Sequence, residues 1–461
     1  MSANGFEGMA PAGGIVLPAG VSARCRLIVG IAAGLAWLTV GGAEAATLTV
    51  GGSGADFATV QAAVDAAPEG STIDVRAGVY REHVQVRTRL TLAGEAGAVV
   101  DAGKKGSAVT LLGSGITLTG FEVRGAGSGK DEAGLLVLGD DNTIAKIHAT
   151  GNNSGVVIFR GHGNALSDSD VSGNKHDGIR VIGATASTVT NNVVAKNGRA
   201  GIWLKGDHEK QSLVEATENR IIGNQAHNNI SFGIALNTGA NRNEVSDNVV
   251  TANGSATPEA GILVNCGPNK NLVQRNKLSA NQKHGILVIV GSSANRFLFN
   301  EVTDSTTGIG VYDGSANEFA SNRVSGSAAF GIHLDDLGPL IGNSAKLPGF
   351  PSGAYPASSL NVLYDNDLSD NRVNAFDRSG KAWEPPGAAA LSAEIRANLQ
   401  KALGPNQWDN GTEGNHYDDF DEVAEGFIDN NADGIGEAAH PIPGGIAVDH
   451  FPLARAPKTG S

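Results

Sequence analysis

Nine copies of a Gly-apolar-x-apolar tetrad start at Gly134, Gly155, Gly178, Gly201, Gly233, Gly261, Gly285, Gly308 and Gly331. They cut the chain into steps of 21, 23, 23, 32, 28, 24, 23 and 23 residues. Between them lie Asn-rich turns and a second apolar pair, as in Asn243-Glu244-Val245, Asn271-Leu272-Val273, Asn295-Arg296-Phe297 and Asn317-Glu318-Phe319. Asn248, Asn276, Asn300 and Asn322 trail these in turn. Such a unit is too short for a propeller blade and lacks the spacing of a leucine-rich repeat. It fits one coil of a parallel β-helix, in which stacked coils bury a shared apolar column and each strand pairs with its equivalent one coil away. Asparagines in the turns tolerate left-handed backbone and can stack in ladders along the axis. Nearly every Asn here therefore reads first as a turn residue.

Composition agrees. There are 64 Gly in 461 residues and only 5% aromatics, as many tight turns between short strands require. Steady Val, Ile and Leu with only 16 Pro exclude collagen and a disordered chain. A net charge of −13 argues against wholesale binding to nucleic acid or an anionic membrane, but leaves room for a local basic patch.

Arg24 and Arg26 precede an apolar run over residues 27–40, and Ala43 and Ala45 suit a signal-peptidase site. A membrane span needs about 20 apolar residues, more than this run offers. The expectation is an exported protein, periplasmic or secreted, with residues 1–45 as leader and no stable membrane span after cleavage. Cys25 leaves with the leader, so Cys266 has no partner for an intramolecular disulfide.

A solenoid must cap its ends, because the terminal coils expose core and strand edges. Within 46–70, Phe57, Val60, Ala63, Val64 and Ala67 share one helical face and form an N-terminal lid. Strand-like stretches at 71–75, 83–86 and 90–93 start the coils, and the repeats run to 376. Residues 377–404 read as linker and helix, with helical spacing at 388–403. Residues 405–453 are acidic and no longer repetitive. The fold class is all-β: a right-handed parallel β-helix with an N-terminal capping helix and an irregular C-terminal appendage.

The run Asp56-Phe57-Ala58-Thr59-Val60-Gln61 and the later Gly78-Val79-Tyr80-Arg81-Glu82 resemble the opening of pectin methylesterases and other pectate-lyase-like β-helices. The esterase's catalytic Gln and Asp motifs are not recognisable downstream, so this resemblance implies fold alone. The tail carries Asn406-Gln407-Trp408-Asp409-Asn410-Gly411, Gly414-Asn415-His416-Tyr417-Asp418, Asp433-Gly434-Ile435-Gly436 and Asp449-His450-Phe451-Pro452-Leu453. It resembles the C-terminal signature of the NosD-like periplasmic β-helix family, named members of which assist copper-site maturation of nitrous oxide reductase. The resemblance implies a non-catalytic periplasmic assembly factor with a protein partner. Copper(I) prefers thiolate and thioether ligands, however, and both methionines, Met1 and Met9, leave with the leader. Copper is not an expected cofactor.

Positions two and four after each Gly should face outward on one sheet. The first column reads Leu136, Val157, Arg180, Trp203, Ala235, Leu263, Leu287, Gly310 and His333. The second includes Leu138, Phe159, Ile182, Lys205, Asn237, Asn265, Ile289, Tyr312 and Asp335. With coils about 4.8 Å apart, Arg180, Trp203 and Lys205 become neighbours, with His176, Asp177 and Arg199 on the turns leading in. Arg and Lys can neutralise a uronate carboxylate while Trp stacks on a sugar face. The set suggests an acidic polysaccharide, with His176, Arg180 and Lys205 as catalytic candidates for β-elimination or epimerisation and Asp177, Arg199, Trp203 and Asn237 as binding residues. The competing readings are a solvated solenoid face with chance basic residues, a protein-binding assembly factor, or a structural surface protein. Leu136, Leu138, Val157 and Phe159 form an apolar patch that would suit a protein partner. A weaker outward grouping joins Tyr312, His333, Asp335 and Asp336. Finally, Asp429, Asn431, Asp433 and Glu437 occupy ligand positions of a calcium-type loop, although His440 stands where a bidentate carboxylate is usual. The expectation there is a weak structural calcium ion, the other reading being an Asp/Asn-rich turn.

Overall fold

The repeat dictates three strands per coil, and the structure, a computed structural model, stacks them into three parallel sheets. It describes residues 44–129, 131–209, 212–255, 259–341, 357–379 and 404–457. Residues 1–43 of the expected leader, the expected 388–403 helix and residues 342–356 lie outside the described residues. One sheet has 13 strands and the second 12. The third is formed by runs of four and eight strands joined through single bridges at Asp170. Among the described residues no helix is long and apolar enough to cross a membrane.

The tetrads form the 12-stranded sheet. The residue after each Gly, from Leu135 and Val156 through Ile234, Ile262 and Ile286 to Ile332, is fully buried. These side chains stack in register, Ile234 beside Ile262 and Ile262 beside Ile286. Each such burial contributes about 1.5–3 kcal/mol.

From Asn142 onward the three corners of the stack carry the expected asparagine ladders, and most of their members are buried. In one, the Oδ1 of Asn276 accepts from the backbone N–H (3.0 Å) and Nδ2 (2.9 Å) of Asn248. Its own Nδ2 donates to Val245 O at 2.9 Å and to Asn300 Oδ1 at 3.0 Å. The pattern repeats from Asn192 to Asn415. Buried turn amides would otherwise lack partners, at about 1–3 kcal/mol each. From Asn192 to Asn366 the residue preceding each of these asparagines adopts left-handed φ, as at Asp247 (58°), Arg275 (51°) and Ser321 (55°).

The glycine of the tetrad answers a close approach. A Cβ on Gly233 would lie 2.4 Å from Val250 Cγ1 and 2.9 Å from Gly261 O. The glycine and the residue after it thus both face inward, and strand alternation slips by one. The residue before the glycine returns to the outside: Ala200, Phe232 and Ala260 pack with the outward Ala235 and Leu263.

The N-terminal lid is a helix, Val60–Ala66, capped by the Thr59 hydroxyl on Ala62 N, with Val60, Ala63 and Val64 buried. At the other end the sequence pattern fades but the solenoid does not. Asn406 and Asn415 continue two ladders, and His416–Tyr417 pairs with Asp367 and Leu368 of the preceding coil. Trp408 is fully buried and donates its Nε1–H to Asp377 at 2.7 Å.

Candidate functional site

Strand register places the outward columns as the spacing predicts. Arg180 pairs with Val157 on one side and Trp203 on the other, and Ile182 with Lys205. Asp177, just before Gly178, is brought to the same face by the slip at the glycine. Its carboxylate is fully buried. Arg199 clasps both of its oxygens, with Nε 2.9 Å from Oδ1 and an NH2 contact to Oδ2. Ala200 N donates to Oδ1 at 3.2 Å, and Arg180 Nε lies 3.7 Å from Oδ2.

Three cations surround one ring. The guanidinium of Arg199 stands 4.1 Å from the Trp203 ring centroid, that of Arg180 5.8 Å, and the Lys205 ammonium 5.2 Å. The indole Nε1–H of Trp203 is buried and has no hydrogen-bond partner among the described residues. Burial lowers the pKa of Arg180, opposed by the charges of Asp177 and Asp131. An arginine so placed remains a cation.

Arg180, Lys205, Asp177, Arg199 and Trp203 therefore come together. The His176 side chain is exposed and outside this group, and only its backbone carbonyl meets it, accepting from Arg199 N at 2.8 Å. Asn237 is half-buried, with its side-chain oxygen engaged by the backbone N–H and hydroxyl of Thr238 at 2.7 and 3.2 Å. Neither shares in the group.

Register fixes where a side chain points, not what covers it, and here the expectation of an open face needs correction. Val157, Ala235, Leu263 and Leu287 point outward yet are at most 2% exposed. The last three pack with Phe232 and Leu337, and with the partly buried Trp203, Ile289 and Leu340. Of the expected apolar patch only Leu138, at 37%, remains exposed. Arg180 is buried and Trp203 half-buried, so the group is partly covered and is not an open flat track.

Further along the same face the weaker grouping proves to be a buried network. Tyr312 Oη lies 3.2 Å from His333 Nδ1 and 3.5 Å from His284 Nε2. His333 Nε2 faces Asp335 at 3.2 Å, and Arg378 binds the other Asp335 oxygen at 3.2 Å. Burial holds His284 down to about 4 and pushes Tyr312 up, so both stay neutral. The slip at Gly285 brings His284 here, which simple alternation does not foresee. Gly310 is required, since a Cβ there would meet Tyr312 at 2.7 Å and His284 at 2.8 Å. Asp336 stands apart, its Oδ1 taking the Gly338 amide at 2.6 Å. With Tyr312, His284, His333 and Asp335 all buried, the network binds the fold together and presents no open site.

In the 429–437 loop Asp429 Oδ2 accepts from Gly434 N at 3.0 Å. Asn431 Oδ1 accepts from Asp433 N at 2.9 Å, and Asp433 Oδ1 from Ile435 N at 2.8 Å. Glu437 takes the Asn430 amide at 2.8 Å, and Asp429 Oδ1 is buried without a partner. Among the described residues no three His, Cys, Asp or Glu side chains are grouped to hold a metal.

Comparison with known proteins bears on the architecture. A search of curated protein sequences finds no significant match. Among solved structures the chain is similar to the Dettilon tailspike protein gp208, at 16% identity and a TM-score of 0.49, over 65% of this chain and 61% of that one. It is also similar to the A-module of the Azotobacter vinelandii mannuronan C-5 epimerase AlgE6, at 18% identity and a TM-score of 0.44, over 68% and 90%. A third likeness is to XylC, solved with xylose, at 12% identity and a TM-score of 0.46, over 70% and 83%. The chain thus spans less than two thirds of the tailspike. The family model described as the right handed beta helix region matches residues 102–224, 168–324 and 259–381, together more than half of the 461 residues. With strand order, register and family model in agreement, the chain belongs to the right-handed β-helix family.

Proposed function

We propose that this is an exported protein that binds an acidic polysaccharide at the cationic group around Trp203. The carrying observation is the buried Trp203 Nε1–H, which has no acceptor among the described residues and belongs to a ring approached by three cations. An orphaned buried donor is costly until a ligand oxygen reaches it. Three cations, Arg180, Arg199 and Lys205, gather at one ring with the Asp177 carboxylate and the charge of Asp131 beside them, on a chain of net −13. A uronate offers a carboxylate for the cations, a hydroxyl for the indole N–H and a C–H face for the ring.

Affinity electrophoresis through alginate, pectate and other uronate polymers tests the reading. Retardation should weaken with added salt and be reduced in Trp203→Ala and Arg199→Ala. Binding that survives both changes refutes it. Turnover is a separate question. New ultraviolet absorbance from unsaturated uronate would make the protein a lyase, with Lys205 and the more distant His176 as the bases to replace.

A second reading, the NosD-like assembly factor, rests on the C-terminal segment. Val423 and Ile446 are 83% and 68% exposed there, which favours a protein partner. Failure to bind any acidic glycan at low salt would leave that reading in place.

A further inference from the structure

The corner preceding the ladder asparagines of the third sheet repeats one conformation coil after coil. Asp168, Asn191, Gly223, Asp247, Arg275, Phe299, Ser321 and Asp365 all have φ between 50° and 67° there. Asn, Asp and Gly tolerate this left-handed backbone, whereas a bulky aromatic residue is an outlier. Phe299, at φ 55°, is the one aromatic residue in this series and is 46% exposed. It belongs to no apolar cluster among the described residues, whereas Val290, similarly strained, packs against the outward cluster. Strain kept without a packing return points to use.

Phe299 lines a surface cleft of about 410 Å3 with Arg275, Lys277, Glu301, Ser321 and Arg323. Strand register puts Lys277, Glu301 and Arg323 side by side on successive coils. The charges there are matched. Arg275 grips Asp247 with two bonds of 2.9 and 3.0 Å, Arg323 lies 3.4 Å from Asp367, and Lys277 stands beside Glu301. The cleft thus offers an exposed ring and both donors and acceptors, with little net charge.

We propose that this cleft is a second binding site, for a neutral hexose or pentose oligosaccharide whose C–H face stacks on Phe299 while its hydroxyls reach the flanking side chains. A polyanion finds no surplus of cations here, and a purely apolar partner would bury the charged pairs unfavourably. The site is on a different sheet from Trp203 and does not depend on that reading.

The test uses the full chain against neutral oligosaccharides of glucose, galactose, mannose and xylose by isothermal titration calorimetry, at low and high salt. At least one should bind with an affinity that salt leaves unchanged. Phe299→Asn should weaken it about tenfold or more while raising the melting temperature, because Asn relieves the backbone strain. Phe299→Trp should retain binding, and Trp203→Ala should leave it intact. Four results overturn the proposal: no neutral oligosaccharide bound, binding that collapses with salt, binding unchanged in Phe299→Asn, or a lower melting temperature in that variant. The last would make the ring a structural element.

Discussion

Replacing Asp177 with Asn separates the stability of the Trp203 group from its charge. The Asp177 side chain is 1% exposed and bonds Arg199 twice, with Arg180 at 3.7 Å. Asn preserves the shape and can still accept from Ala200 N, but its NH2 then faces two guanidinium groups. Removing one partner of a buried ion pair typically costs about 3–5 kcal/mol. Arg199 is 41% exposed and can recover water, whereas Arg180, at 8%, cannot. The expected loss is therefore about 2–3 kcal/mol, read as a shift in urea midpoint at unchanged slope. Binding should move the other way. The local charge rises by one unit, and for a uronate carboxylate about 6 Å away one added charge is worth about 0.7–3 kcal/mol as the effective dielectric falls from 80 to 20. With screening, about 1 kcal/mol remains, or roughly fivefold tighter binding, which high salt should erase. A folded Asp177→Asn protein that bound polyuronate no better than the parent would show that the charge of this group is not what recognises the ligand.

The C-terminal end should respond to pH and calcium. Burial raises Asp449 to about 6, above about 3.9 in the unfolded chain, so the folded form holds an extra proton in between. Its contribution is present at low pH and lost as pH rises from about 4 to 6, by about 3 kcal/mol in all. Urea unfolding across that window should show the slope in the parent and not in Asp449→Asn; parallel profiles would refute it. Millimolar calcium should raise the melting temperature through the 429–437 loop, where Asp429 Oδ1 is buried without a partner, and Asp433→Ala should abolish the rise. An equal response in the variant would move the ion elsewhere, and no response would remove it.

Much of this architecture is legible in the sequence because it is periodic. The step near 23 residues fixes the coil, and the register it implies, Arg180 beside Trp203 and Ile182 beside Lys205, is the register found. What periodicity does not carry is local chemistry off the period. The inward turn of each tetrad glycine moves Asp177 and His284 onto the outward face, where strict alternation would not place them. Arg378 joins Asp335 across 43 residues of sequence, a contact no spacing announces. Cover is equally silent, since Leu263 and Leu287 read as surface residues and are closed over. The tail hides its continuation of the ladders because Asn406 and Asn415 follow Asn361 and Asn366 at intervals of 45 and 49 residues, twice the usual step.

A solenoid also offers a way to find function that a globular fold does not. Each coil supplies the same few kinds of position, so the cost of a residue at any one of them can be judged against its column. The inner column and the asparagine ladders admit little change: Asn276 bonds to Asn248, Asn300 and Val245 at once, and truncating it would orphan several buried groups. Substitution is cheap only at outward positions that stay uncovered and at the left-handed corners. A residue there that is worse for the fold than its neighbours needs another explanation. Trp203 leaves an indole N–H without a partner between Val157 and Arg180 on one side and Ala235 on the other, and Phe299 takes a backbone that Asp247, Ser321 and Asp365 adopt more easily. Both departures lie beside charged side chains, Arg199 and Lys205 in the coil of Trp203 and Arg275 and Arg323 in the coils flanking Phe299. That coincidence of local cost and polar surroundings is what separates these two positions from the rest of the stack.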